Sequence, residues 1–477
     1  MNRVVPLVAL ALLAGGCVSL APNAPPPEAP VDAAYPHAAS PNAIDAAHAV
    51  PGWREFVGDP RLAALIERAL SDNRDLRLAA ANLERARFEA RVALAERLPG
   101  VELGIDAQKG EGASSSSDDA FAGLRVPAFE LDLFGRLRDL DRAARADYLA
   151  SAAAAESVRA GLVAAVIEGW VEWQAASRAR ALALSTVASR SESRALAAEL
   201  FDVGAASELD LAAADSLLEA ARVVEARETR RLRVAANALR LLAGSAPDPA
   251  DAERALPPLM AVAPGLPADL LTRRPDVREA ERRLAAADAR IGAARAAFFP
   301  RIALTAEGGV ASPALDGLFD GRGAWRFVAN LVQPIFDGGR LRGLLGIARA
   351  DRDAAVARYE QTIRAAFRDV ADALAGVDTL AEAARAQRAA AAAETRRAEL
   401  VRLRFDAGDA SRLETLDAER ARFSAERDAI EAEAEVLKNR VALFAALGGG
   451  WAGACVECPT AASGSKQTAE AGQVSAE

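Results

Sequence analysis

The side chains that could perform chemistry in this 477-residue chain are few, and most of them stand near its two ends. The only two histidines, His37 and His48, lie in a Pro/Ala-rich N-terminal region, so we expect no histidine-based catalytic or metal site in the folded body. Cys455 and Cys458 form a CxxC pair near the C-terminus. A redox site would need a thioredoxin-like unit around that pair, and a zinc site would need a second pair of ligands. The sequence shows neither, although a disulfide between the two thiols stays open.

The remaining cysteine, Cys17, stands in a setting that predicts a covalent lipid. Arg3 precedes an apolar run from Val4 to Leu13, which is followed by Ala-Gly-Gly and then Cys17. This pattern is typical of a secretory signal peptide over residues 1–16, and it resembles the bacterial lipoprotein box, although Ala occupies the place where Leu is usual. Val18 replaces the Asp that retains lipoproteins at the inner membrane. We therefore expect Cys17 to carry diacylglycerol and an acyl chain in the outer membrane; an ordinary signal peptide with an incidental cysteine is the alternative.

The rest of the composition argues against catalysis and against nucleic acid. Hydrophobic residues make up 52% of the chain, with aromatics at 5% and charged residues at 26%, and the net charge is -9. An acidic chain lacks the basic surface that nucleic acids require. No nucleotide-binding loop or nucleophile elbow is present. We predict a protein that is not an enzyme and has no cofactor beyond the lipid on Cys17.

The elements that position these residues are written twice along the chain. Residues 17–58 form a Pro/Ala-rich tether, and the two repeats occupy residues 59–255 and 256–450, ahead of a flexible tail at 451–477. The clearest duplicated segment is FDVGAASEL at 201–209, which matches FDAGDASRL at 405–413. Each copy predicts a glycine turn in which a serine caps the following helix.

Each repeat predicts a short helix, two strands, and two long helices joined by that turn. The candidate strands are Val101 to Lys109, Phe121 to Leu133, Arg301 to Val310 and Trp325 to Phe336. No proline interrupts Leu341 to Arg404, so an unbroken helix there would be about 95 Å long. No stretch after the signal peptide holds an uninterrupted apolar run long enough for a transmembrane helix. A membrane span would therefore have to be a β-barrel.

Four strands cannot close a barrel, because an open sheet edge leaves backbone groups unpaired in lipid. Two chains would give eight strands and a bore filled by side chains, whereas three chains would give twelve strands around an open lumen. The pattern therefore predicts an α+β membrane protein in which three chains, the smallest number that leaves an open lumen, close a 12-stranded barrel.

Three segments carry a resemblance to a known family. They are GLPADLLTRRPDVREAE at 265–281, IGAARAAFFP at 291–300 and QPIFDGGR at 333–340. With these segments the chain resembles the TolC-like outer-membrane factors, and within them the acylated efflux lipoproteins, from Cys17 to Trp451. The resemblance implies a homotrimer whose 12-stranded outer-membrane β-barrel continues into a long α-helical periplasmic barrel. It also implies a channel that works with a periplasmic adaptor and an inner-membrane pump of the resistance–nodulation–division type to export drugs or other small molecules.

The resemblance also assigns roles to the far ends of the long helices. It implies that the two turns contact the adaptor, through Val203, Gly204 and Ser207 in the first and Ala407, Gly408 and Ser411 in the second. Beyond the second turn, Glu414 and Asp417 share one helix face. Three copies would form acidic rings at the periplasmic gate; two solvated carboxylates beside a coiled-coil seam are the alternative.

Two rival functions fit part of the sequence. A type I secretion duct would share the same architecture, although the predicted acylation favours efflux. A lipid-tethered periplasmic coiled-coil spacer would explain the Ala-rich helices but not the four strands. Glu208 and Asp210 could also pair with Arg402, Arg404 or Arg412 and hold the tip shut.

Overall fold

The computed structural model describes residues 19–23, 25, 27–32, 34–35, 50–112, 115–252, 255–262, 272–312 and 322–449; for 108–112 and 115–119 only the backbone is described. In chain order the helices and strands are α1 (Trp53–Phe56), α2 (Pro60–Asp72), α3 (Arg74–Ala95), β1 (Glu102–Gly112), β2 (Ser115–Leu131), α4 (Arg136–Asp202), α5 (Glu208–Ala243), α6 (Pro275–Ala296), β3 (Arg301–Ser312), β4 (Arg322–Val332), α7 (Arg340–Asp406) and α8 (Arg412–Ala446). The predictions for residues 1–16, Cys17, both histidines, Cys455 and Cys458 lie outside the described residues.

Helices α4 and α7 occupy the same place in the two halves, and each has 67 residues, which corresponds to about 100 Å. Each begins directly after a glycine with a left-handed backbone, at Gly135 (φ 75°) and Gly339 (φ 90°). Their interiors hold no proline and are rich in Ala, Leu, Arg and Glu, which favour the helix. The unbroken helix predicted from Leu341 to Arg404 is confirmed.

The largest core cluster lies where the short helices pack against the long ones. Phe56 of α1 stacks on Phe444 of α8 with ring centroids 4.2 Å apart, and Trp170 of α4 is buried beside them. Within the described residues, α4 alone contains a window apolar enough to suit a membrane span, with a mean hydropathy of 1.4. Val163, Ile167 and other apolar residues of α4 belong to this core, and 39% of the window is buried within the protein.

The predicted tether boundary at residue 58 is too late. Trp53 and Phe56 are buried in the main core, and so is Val57. Earlier still, Tyr35 packs against Phe367 with ring centroids 5.1 Å apart. Apolar side chains in the Pro/Ala-rich region therefore bury against the helical body, although this region has too few of them to form a core of its own.

The start of the tether is also fixed to the body. The Ser19 hydroxyl donates to the buried carboxylate of Asp139 at 2.7 Å, and Arg295 donates to the Leu20 carbonyl oxygen at 2.8 Å. Gly292 leaves room for this arrangement, because a Cβ there would lie 2.2 Å from Asp139 Oδ2 and 2.8 Å from the amide nitrogen of Ala21. The chain next to Cys17 is thus held where α4 and α6 meet.

The four strands form one antiparallel sheet in the order β1-β2-β3-β4. The fourth strand ends at Val332, earlier than the predicted Phe336, because Gln333 precedes Pro334, which has no N–H to donate to the sheet. Strand β2 contains Pro127, and the register with β3 shifts between Val126 and Phe129. The sequence prediction did not include this bulge.

Candidate functional site

The two helix–turn–helix ends have the same backbone design. In the first, Gly204 has φ 73° and the Ala205 N–H donates to the Leu200 carbonyl oxygen at 2.7 Å. In the second, Gly408 has φ 84° and the Asp409 N–H donates to the Arg404 carbonyl oxygen at 2.8 Å. Both helices therefore end in a left-handed glycine turn, as the repeated segment predicted.

The helix after each turn begins with a reciprocal pair of hydrogen bonds. Ser207 Oγ accepts from the Asp210 N–H at 3.2 Å, while the Asp210 carboxylate accepts from the Ser207 N–H at 3.1 Å. Ser411 Oγ accepts from the Glu414 N–H at 3.2 Å, and the Glu414 carboxylate accepts from the Ser411 N–H at 2.9 Å. Hydrogen bonds from the Ser207 side chain and backbone lower the pKa of Asp210. The serine caps are confirmed, and each carboxylate stabilises a helix N-terminus.

The two carboxylates predicted for the gate lie close together on α8 but have different partners. Glu414 is a member of the capping pair, whereas Asp417 Oδ1 accepts from Arg420 at 2.5 Å and its Oδ2 lies 3.8 Å from Arg397 on α7. Asp417 is about half exposed, at 49%. Asp417 is therefore the carboxylate of the two that is not part of a backbone cap.

The surface around the turns carries exposed apolar side chains. Val203 is 76% exposed, Leu209 78% and Leu413 70%. Of these, the sequence reasoning named only Val203 for the tip. Leu209 and Leu413 occupy the same place in the two repeats, two residues after the capping serine, and that repetition was the signal that could have identified them. A paired apolar surface at a helix end suits a protein contact.

The predicted ion pairs across the tip are not found among the described residues. In that part of the chain neither Glu208 nor Asp210 lies within 4.0 Å of Arg402, Arg404 or Arg412, although the charge of Arg412 helps to lower the pKa of Asp210. Arg412 donates instead to the Ser193 carbonyl oxygen on α4 at 3.0 Å. That contact brings the start of α8 against the last turns of α4, so the two turns lie at the same end of the helical body.

A buried arginine also joins these helices. Arg190 of α4 is only 5% exposed, donates to the Leu217 carbonyl oxygen on α5 at 2.8 Å and lies over the ring of Phe423 on α8. Burial lowers the pKa of Arg190. The side chain thus links three helices near the tip without a carboxylate partner in the described part of the molecule.

Further along the helical body, charged side chains form a network between α4, α5 and α8. Arg231 of α5 donates to Glu172 of α4 and to Glu431 of α8, and Lys438 contacts Glu172 at 2.8 Å. Burial opposes ionisation of Glu172, but the hydrogen bonds from Arg231 and Lys438 outweigh it and lower the pKa to about 2. Burial raises the pKa of the nearby Glu228. The network ties the first helical pair to the second.

The two faces of the sheet differ sharply in polarity. One face exposes large apolar side chains, among them Leu103 at 77%, Ile105 at 66%, Trp325 at 83% and Phe327 at 59%. Such a face suits the hydrocarbon of a bilayer, and the strands alternate as a membrane barrel requires. In β1 the apolar residues Leu103 and Ile105 alternate with Glu102, Gly104 and Asp106.

The opposite face carries a row of alternating charges. Glu102 lies opposite Arg125, Arg125 opposite Glu307, and Glu307 opposite Arg326, so that one residue from each strand belongs to the row. Arg125 also reaches along the face to Asp106 at 2.8 Å, and Arg326 contacts Glu307 at 2.7 Å. Sequence reasoning missed this row because its members are adjacent only once the strand register is known.

Beside the charged row the strands approach closely through glycines. Gly123 lies opposite Gly309, and a Cβ at Gly309 would be 2.1 Å from the Ala122 carbonyl oxygen. The close pairing of β2 and β3, which come from different repeats, therefore depends on these glycines. The four strands act as one sheet rather than two separate hairpins.

Comparison with known proteins fits this architecture. The family model described as "Outer membrane efflux protein" matches residues 65–245 and 266–449. The chain belongs to the outer membrane efflux protein family. The efflux protein is 41% identical to outer membrane protein OprJ of Pseudomonas aeruginosa over 93% of this chain and 95% of OprJ. It is also 41% identical to the toluene efflux pump outer membrane protein TtgF of Pseudomonas putida, over 93% of this chain and 96% of TtgF.

A solved structure of the same family agrees with the fold of this efflux protein. The open state of the Neisseria gonorrhoeae MtrE outer membrane channel superposes with a TM-score of 0.82 at 33% identity, covering 91% of this chain and 98% of MtrE. The predicted family, the α+β fold with four strands per chain, the outer-membrane location and the function in efflux are confirmed. The two matched segments correspond to the two repeats.

Proposed function

We propose that three copies of this efflux protein form a passive conduit across the outer membrane. The observation that carries the proposal is the open four-stranded sheet, with one apolar and one charged face, at the end of helices about 100 Å long. In lipid the unpaired edges of β1 and β4 must find partners, and three copies provide twelve strands around a lumen. The apolar face then meets lipid and the charged face lines the lumen.

The conduit receives its substrates from a periplasmic adaptor and an inner-membrane pump, of the resistance–nodulation–division type. The surface available to the adaptor includes Val203, Leu209 and Leu413 beside the glycine turns. The turns are rigid enough for docking because each is closed by a left-handed glycine and a capping pair. TtgF is named for a toluene pump, and we propose small, largely apolar molecules as the substrates here.

We further propose that Cys17 is acylated and that the chain performs no catalysis. The contacts of Ser19 with Asp139 and of Leu20 with Arg295 support a short link between the lipid and the body. An anchor two residues before Ser19 would place the acyl chains beside the junction of α4 and α6. Loss of radiolabelled palmitate from a Cys17→Ser variant would test this attachment.

Single-channel conductance in a planar bilayer tests the conduit. We expect the purified protein to insert as a trimer and to conduct, and we expect native mass spectrometry to give three chains per particle. A monomer that binds membranes through its lipid but carries no current would instead identify a tethered periplasmic spacer. Export of an apolar dye from cells with the adaptor and pump, compared with a Leu209→Asp/Leu413→Asp variant, tests the docking surface.

A further inference from the structure

The two edges of the sheet are matched in length and direction. In the described part of the chain, β1 and β4 each pair with a single neighbouring strand, and each spans 11 residues. Since all pairings within the sheet are antiparallel, β4 runs opposite to β1. A β4 edge placed beside β1 of a second copy therefore continues the antiparallel order without a break. A junction of this kind exists only in the proposed trimer, so the inference rests on the proposed function.

The two edges also carry opposite charge on the same face. Arg326 on the β4 edge is 68% exposed, whereas Asp106 on the β1 edge is 60% exposed. Arg326 contacts only Glu307, and Asp106 contacts only Arg125, among the ion pairs of the described residues. Each side chain thus has room for a second partner of opposite charge beyond its own edge.

Barrel geometry restricts which residues meet at that edge. The pairing within the chain adds no stagger along the charged row, because Glu102, Arg125, Glu307 and Arg326 are directly opposite one another. The stagger that a closed barrel requires must therefore arise at the junction between copies. For twelve strands tilted by about 35 to 45°, the stagger between neighbouring copies is roughly four or six residues. An odd stagger is excluded, because it would turn lumen-facing residues toward the lipid.

Only one direction of this stagger leaves the edges paired. If β4 of one copy were shifted toward the start of β1 of the next copy, Arg326 would lie beside residues that precede Glu102, outside the strand. Shifted the other way by four residues, Arg326 lies directly opposite Asp106 of the next copy. With a shift of six residues, β4 and β1 overlap over their full length. Val328 then lies opposite Asp106, and Arg326 occupies the neighbouring diagonal position.

We propose that Arg326 of one copy forms an ion pair with Asp106 of the next copy, and that this pair fixes the register of the junction between protomers. An arginine reaches a diagonal position easily, since Arg125 already passes Gly104 to reach Asp106 within the chain. The row of alternating charges then continues from each copy to the next around the lumen. At a shift of eight residues Arg326 would lie four residues from Asp106 along the edge, the same offset that Arg125 spans within the chain, and only larger shifts separate the two charges.

A double-substitution cycle isolates this pair. Within one chain Arg326 and Asp106 lie three strand spacings apart across the sheet and four residues apart along it, about 20 Å in all, which exceeds the Debye length of about 10 Å at 0.1 M salt. Coupling between them therefore reports contact between copies. We expect Arg326→Gln or Asp106→Asn to speed dissociation of the detergent-solubilised trimer on the order of tenfold, from roughly a twofold loss at each of three junctions.

We expect the double variant to dissociate no more than about twofold faster than either single variant. Arg322→Gln is the matched control, because Arg322 is on the same strand and face but lies four residues farther from the junction with Asp106. The effects of Arg322→Gln and Asp106→Asn on the dissociation rate should multiply in the double variant. If the effects of Arg326→Gln and Asp106→Asn on the dissociation rate also multiply, the proposed ion pair is wrong.

Cross-linking gives an independent answer on the register. In a Cys455→Ser/Cys458→Ser background, we expect Asp106→Cys to form an intermolecular disulfide with Arg326→Cys or with Val328→Cys, and not with Arg322→Cys. Trimers seen by native mass spectrometry that form neither of the two expected disulfides would refute the register and leave the conduit standing. A wild-type protein that forms no trimer would instead refute the proposed function.

Discussion

Arg231 offers a sharp test of how the helical body is held together, because three helices meet at its guanidinium. Its removal in an Arg231→Gln variant leaves Glu172, Glu228 and Glu431 close together. Lys438 remains in contact with Glu172, and the charge of Arg427 still acts on Glu228. Folding lowers the pKa of Glu172 from 4.5 to about 2. We therefore expect the variant to lose stability at neutral pH, where the carboxylate of Glu172 is charged.

The magnitude follows from that pKa. A change from 4.5 to about 2 corresponds to about 3 kcal/mol of favourable interaction with the charged form of Glu172. Glu172 keeps 29% of its side chain exposed and retains Lys438, so solvent screening and the second cation reduce the loss to about 2 kcal/mol. In the wild type this contribution is fully present above pH 4.5 and is lost as the pH falls toward 2.

The pH dependence distinguishes an electrostatic role from a packing role. In the wild type the favourable interaction of charged Glu172 is lost between pH 4.5 and pH 2, so the deficit of Arg231→Gln should shrink between pH 7.5 and about pH 3. The assay is urea unfolding followed by circular dichroism at 222 nm, at one protein concentration and both pH values. Arg230→Gln, at the adjacent exposed position, should change stability little. An equal deficit for Arg231→Gln at both pH values would refute the electrostatic argument.

Three further outcomes are expected from single substitutions. Gly309→Ala should prevent β2 and β3 from pairing and abolish the heat-modifiable trimer on gels, because the new Cβ would lie 2.1 Å from the Ala122 carbonyl oxygen. Gly308→Ala is the control: a Cβ at residue 308 meets open space, so this variant should assemble normally. Ser207→Ala should cost about 1 kcal/mol of unfolding free energy, and an unchanged urea midpoint would contradict the capping role. Leu103→Arg should cost about 2–4 kcal/mol if the apolar face meets lipid, and wild-type levels of folded protein in outer-membrane fractions would count against that orientation.

The sequence predicted those parts of the fold whose signals are local or repeated. The long helix α7 follows from an unbroken run of helix-forming residues, and each turn follows from one glycine and one serine at fixed spacing. The four strands followed from the repeated order of helix, proline and strand in the two halves, and the end of β4 was misplaced by the weaker signal around Pro334. Repetition helped most, because each half of the chain corroborated the other.

The parts that could not be predicted depend on contacts between distant segments. The charged row requires the register of four strands, and Arg125 and Glu307 belong to different repeats. Burial of Tyr35 and Trp53 requires a groove supplied by helices that begin much later in the chain. Composition correctly marked this region as unable to form its own core, but it could not reveal that another core accepts its aromatic side chains.

A local hydrogen bond of Glu414 changes what can be expected of the predicted acidic gate. The sequence suggested that Glu414 and Asp417 together would place six carboxylates around the closed tip of a trimer. In the structure the Glu414 carboxylate accepts from the Ser411 N–H at 2.9 Å, and the Asp210 carboxylate accepts from the Ser207 N–H in the same way in the first repeat. A carboxylate held against a helix N-terminus is partly compensated by the helix, so its field in the lumen is reduced.

Asp417 should therefore control the cation selectivity of the tip more strongly than Glu414. We expect Asp417→Asn to reduce the preference for cations in reversal-potential measurements on single channels. Glu414→Gln keeps an amide oxygen that can accept from the Ser411 N–H, and it should leave selectivity nearly unchanged. An equal effect from both substitutions would restore the ring of six charges, whereas no effect from either would place the selective part of the pore elsewhere, with the charged row of the sheet as the next region to test.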